Sequence, residues 1–124
     1  MDDFKVSDLR TTVELLEILR KYQISKGFSG TDYRLAKILQ INPNSAQNLI
    51  HKGGIMSDET AMHVAHELGL PSSYVLLCAW HERNKNEATK EAIKEIADKY
   101  LKVSVFILVA SVIFNTSSLL YALA

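Results

Sequence analysis

The sequence predicts an all-α fold. Apolar residues recur three and four positions apart, no stretch alternates with period two for long, and β-branched residues do not cluster before residue 103. Residues that cap helices stand at the heads of the apolar runs.

The first helix is expected from about Ser7 to Tyr22, with Ser7 as cap and Leu9, Val13, Leu16 and Leu19 as its apolar stripe. Gly27-Phe28-Ser29-Gly30 reads as a loop. Thr31 caps a second helix, Asp32 to Leu39. Asn42 caps a third, with Pro43 at the first helical position, where a missing N–H costs nothing, and Gly53-Gly54 ends it. Ser57 caps a fourth, whose positive end Asp58 and Glu59 complement, and Gly69 closes it. Pro71 opens a fifth helix carrying Val75, Leu76 and Ala79. The expected core is Leu16, Leu35, Ala36, Leu39, Ile41, Ala46, Leu49, Ile50, Val64, Ala65, Leu68, Leu70, Val75 and Leu76.

Composition shifts divide the chain into a helical domain at 1–80, a charged connector helix at 81–102 and an apolar helix at 103–124. The connector pairs Lys90 with Lys94 and Glu91 with Glu95 at helical spacing, around a narrow stripe of Ala88, Ala92, Ile93, Ile96 and Ala97. Over 124 residues, 14 basic and 14 acidic side chains cancel. Their distribution does not cancel: Ile18 to Ser57 holds Arg20, Lys21, Lys26, Arg34, Lys37 and Lys52 against the single acid Asp32. The one cysteine, Cys78, excludes an internal disulfide and sits among apolar neighbours, where a buried inert thiol is expected. The Met-Asp-Asp start carries no basic apolar leader, so the folded part is expected in the cytoplasm.

The second and third helices read as a helix-turn-helix. Ala36 is small enough for close helix contact, the link Leu39-Gln40-Ile41-Asn42 is short, and Ile41 anchors it. With Ala46, Leu49 and Ile50 turned inward, the outer face of the third helix is Asn44, Ser45, Gln47, Asn48 and His51. These are the candidates for base edges, because amides donate and accept at once and suit adenine. Thr31, Tyr33, Arg34, Asn42 and Lys52 are placed for phosphates. Residues 31 to 80 resemble the five-helix DNA-binding domain of the lambda-repressor-like helix-turn-helix phage regulators. The resemblance lies in Leu35-Ala36, the Ile41-Asn42 turn, Ala46, Leu49, Ser57 through Ala65, and Leu68-Gly69-Leu70. It implies regulation of transcription, usually repression, by a dimer on a near-palindromic stretch of double-stranded DNA.

From Val103 to Ala124 there is no charge, and 22 helical residues span ~33 Å, about one bilayer core. Lys99 and Lys102 precede this run, so one reading is a membrane helix that anchors a cytoplasmic domain to the inner membrane. The other is a soluble oligomer: Ile93, Ile96, Tyr100, Val103, Ile107, Ala110 and Phe114 keep a heptad spacing into the tail, as a helical bundle requires. No catalytic constellation is present, and no cofactor is expected. His63 and His66 have no thiolate or carboxylate cluster at ligand spacing, so no metal site is expected. The leading expectation is a DNA-binding transcription regulator, not an enzyme, dimeric and membrane-tethered. The alternatives are a soluble oligomeric repressor and a membrane interaction protein that does not bind DNA.

Overall fold

The computed structural model describes residues 8–99. Among them are six helices and no strand, so the all-α expectation holds. The helices are α1 (Thr12–Ser25), α2 (Asp32–Leu39), α3 (Pro43–His51), α4 (Asp58–Leu68), α5 (Ser72–Arg83) and α6 over 87–99.

Local chemistry sets most of the boundaries. Thr31 accepts from the Arg34 N–H at the head of α2, and Asn42 accepts from the Asn44 N–H at 2.7 Å at the head of α3. Ser57 accepts from the Thr60 N–H at the head of α4. Gly69 closes α4 at φ +67°, which directs the Leu70 N–H to the Ala65 carbonyl at 2.9 Å. All of these ends are where the sequence puts them.

The first helix is different. It starts at Thr12, not near Ser7, and Ser7 itself lies outside the described residues. Thr11 and Glu14 form a reciprocal capping box that outcompetes an earlier start. The residues just before it are pinned across α5: the Tyr74 hydroxyl donates to the Asp8 carbonyl at 2.6 Å, and the Arg10 N–H donates to Cys78 Sγ at 3.4 Å. The buried face is correspondingly Thr12, Leu15, Leu16, Leu19 and Gln23, while Val13 faces solvent.

The connector also departs from expectation. Helix α5 continues through Arg83, the chain breaks at 84–86, and Asn86 caps a new helix by accepting from the Thr89 N–H at 3.0 Å. Helix α6 is no free spacer, because Ile93 and Ala97 are buried in the main core. That core joins Leu15, Leu19, Leu35, Leu39, Val64 and Val75 with Met56, Tyr74 and Cys78. Ile41, Ile50, Leu70 and Leu76 only border it. Burial pushes the Cys78 thiol and the Tyr74 hydroxyl up, so both remain neutral.

The expectation of a transmembrane helix is corrected. Among the described residues no helix is long and apolar enough to cross a membrane. Helix α6, which leads toward the tail, carries Glu87, Lys90, Glu91, Lys94, Glu95, Asp98 and Lys99, and a bilayer core rejects such a charge density. The proposed span itself, with Val103, Ile107, Ala110 and Phe114, lies outside the described residues.

The turn between α2 and α3 contains one unfavourable residue. Gln40 stands at φ +57°, the left-handed region, and is the one non-glycine there among the described residues. That conformation lets the Ile41 N–H reach the Ala36 carbonyl at 3.0 Å and closes α2. A side chain in this region costs about 1–2 kcal/mol, part of which glycine recovers. Gln40→Gly is therefore expected to stabilise the fold by about 0.5–1 kcal/mol. A urea midpoint that stays put or falls would count against this account of the turn.

Candidate nucleic-acid interface

Helices α2 and α3 pack directly on one another, and the turn Gln40-Ile41-Asn42 joins them. Ala36 and Ala46 are both buried, and their small side chains allow the helices to approach. Leu49 is buried behind α3 and Ile50 is half-buried, so the helix has one inner face and one outer face. Pro43 at its first turn requires no hydrogen bond, and the Gly54 N–H returns to the Asn48 carbonyl at 3.0 Å to finish its last turn.

Asn44, Ser45, Gln47 and Asn48 are all exposed on that outer face, together with His51 and Lys52. Among the described residues, none of the side chains of Asn44, Ser45, Gln47 and Asn48 has a hydrogen-bond partner. The Asn48 amide lies close against Gly54, whose missing Cβ leaves it room: a Cβ there would stand 2.9 Å from Asn48 Nδ2.

His51 has a different environment. Its Nε2 lies 2.8 Å from Asp32 Oδ2, which ties the end of α3 to the start of α2. The other Asp32 oxygen accepts from the Arg20 guanidinium at 2.9 Å, and Arg20 also donates to the Gly30 carbonyl. The one acid of the basic stretch is thus held between two partners. By sequence Arg20 is one of the six basic residues of the stretch, and the structure makes it a brace between α1 and α2. The isolation of Asp32 among six cations was the available signal.

His51 first and Arg20 second hold the Asp32 carboxyl below its ordinary value of 3.8. A depressed carboxyl binds fewer protons folded than unfolded, so stability rises with pH across its titration. The contribution is complete above the ordinary value and disappears as pH falls through the lowered one. Asp32→Asn is expected to flatten the acid limb of a stability-against-pH curve in that window. An unchanged limb would mean that the bridge contributes nothing.

The residues expected at phosphates are not alike. Tyr33 is 69% exposed, and Thr31, Asn42 and Lys52 are also at the surface. Thr31 and Asn42 already use side-chain oxygens as helix caps, and Thr31 Oγ1 also lies 3.2 Å from Ser29 Oγ. Arg34 is half-buried: its guanidinium lies over the Phe28 ring at 4.4 Å, and Nη2 donates weakly to Gln23 Oε1 at 3.4 Å. Phe28, part of a predicted loop, therefore holds the Arg34 cation where α1 meets α2. Sequence spacing gave no sign of that stacking, because Phe28 lies in the loop and Arg34 in α2, and no helical period relates them.

Among the described residues no group of three or more His, Cys, Asp or Glu side chains is arranged to hold a metal ion. The chain matches no protein-family model, no curated protein and no solved structure. The reading of this surface therefore rests on its own geometry.

Proposed function

We propose that the chain is a sequence-specific DNA-binding transcription regulator of the lambda-repressor-like helix-turn-helix class, with α3 as its recognition helix. One observation carries the reading. Asn44, Ser45, Gln47 and Asn48 stand exposed and without hydrogen-bond partners among the described residues, on a helix held from behind by Ala46 and Leu49. Such a row of amides is suited to the donor and acceptor pattern of major-groove base edges. Lys52 is exposed at the end of α3 and Lys37 on α2, Arg34 is oriented by Phe28, and the nearby carboxylates are engaged, Asp32 by Arg20 and His51 and Glu17 by Arg20 at 3.2 Å. An anionic backbone would meet little opposing charge here.

One copy presents one short reading helix, so a homodimer on two half-sites about 34 Å apart is the expected binding unit. The test is selection of duplexes from a random library by the full chain, followed by a salt titration on the enriched sequence. A near-palindromic motif should emerge. A dimer with about six phosphate contacts should lose roughly a thousandfold in affinity between 50 and 200 mM salt. No enriched motif, or affinity indifferent to salt, would remove the proposal.

A further inference from the structure

A second surface, away from α3, is built from α5 and α6. It is a groove of ≈ 470 Å³ floored by Leu76, Leu77, Trp80 and Ile96. Trp80 is 55% exposed and Ile96 is 51% exposed, an unusual state for two large apolar side chains standing together. Asp58 and Arg83 stand on the rim and form an ion pair with one another. The rim charges are thus matched internally, and the rest of the lining is apolar apart from Ser73.

We propose that this groove is the seat of the chain's own segment 103–114. That segment, Val103-Ser104-Val105-Phe106-Ile107-Leu108-Val109-Ala110-Ser111-Val112-Ile113-Phe114, carries no charge. An uncharged occupant leaves the Asp58–Arg83 pair intact and matches a lining that is otherwise apolar apart from Ser73. The distance is short. Val103 lies four positions after Lys99, where the described part of α6 ends, a reach of up to ~14 Å when extended, against an interhelical spacing of ~8–10 Å. Tethering supplies the segment at a millimolar-range effective concentration without any encounter step. A second copy is the weaker occupant, since stable association takes ~800 Å² per partner and four apolar side chains supply far less. Docking covers Trp80 and removes the segment's apolar surface from water in one step. The inference does not depend on DNA binding.

The full chain tests it directly. A photoreactive benzoylphenylalanine in place of Trp80, in an equal mixture of isotopically heavy and light chains, reports both the occupant and its origin. Cross-links to 103–114 within chains of one label are expected. Cross-links between heavy and light chains would identify a second copy as the occupant and overturn the proposal. In the unsubstituted chain Trp80 is the only tryptophan, so its fluorescence is a second reading that needs no photoprobe. Ile107→Glu combined with Leu108→Glu should raise its acrylamide quenching several-fold with the helical circular dichroism retained. Quenching already as high as for free tryptophan in the unsubstituted chain would mean an open groove, and the proposal would fail.

Discussion

Thr12→Val, an isosteric change, is expected to destabilise the fold by about 2–4 kcal/mol. Thr12 is fully buried and makes three polar contacts that join three parts of the molecule. Its hydroxyl donates to Glu82 Oε1 of α5 at 2.6 Å, and its N–H donates to the same oxygen at 2.8 Å. The hydroxyl oxygen in turn accepts from the Met56 N–H at 3.1 Å, in the loop between α3 and α4. Glu82 therefore complements the positive end of α1, while Thr12 satisfies the N–H of a fully buried residue. Valine keeps the shape and the N–H but removes the hydroxyl. Met56 is left with a buried donor and no acceptor, and Glu82 loses a charge-assisted bond. For a domain of this size the midpoint should drop on the order of 10–20 °C. Thr12→Ser is the discriminating control: it keeps the hydroxyl and deletes one methyl, a loss of about 1 kcal/mol. If valine and serine variants melted together, the hydroxyl bridge would have no energetic role.

Gln47→Ala combined with Asn48→Ala is expected to lower affinity for the selected duplex by about 2–5 kcal/mol, since each well-placed bidentate base contact is worth about 1–3 kcal/mol. Affinity for unrelated duplex should change little, because phosphate contacts carry no sequence information. Both side chains are exposed and have no hydrogen-bond partner among the described residues, so the folded state should tolerate their truncation. The measurement is a mobility-shift titration of the variant against selected and scrambled duplexes, with a urea melt alongside. Equal losses on both duplexes would point to a lost backbone contact. Undiminished binding to the selected sequence would end the base-reading role of α3.

The α2–α3 unit shows how far local signals reach. The caps at Thr31, Asn42 and Ser57, the proline at the start of α3 and the stop at Gly69 act within one helical turn, so the order of residues determines them. The burial of Ala36, Ala46 and Leu49 follows from helical spacing in the same way. Helix α1 marks the limit. Two cap residues compete there, and contacts made by Tyr74 and Cys78, more than sixty positions away, accompany the later start. Helix α6 is another case, because its sparse Ala and Ile stripe reads as a spacer until Ile93 and Ala97 are found in the core.

The order of amino acids alone established the all-helical class, the ends of α2, α3 and α4, and which side of α3 turns outward. These depend on dihedral preferences, end groups and a period of 3.6 residues, all of which operate over a few neighbours. Tertiary packing decided the rest: the Arg20–Asp32–His51 bridge, the Arg34 cation over Phe28, the Thr12–Glu82–Met56 junction and the Trp80 groove. Each joins side chains from separate segments, and their energies depend on distance and burial, quantities that exist only once the helices have come together.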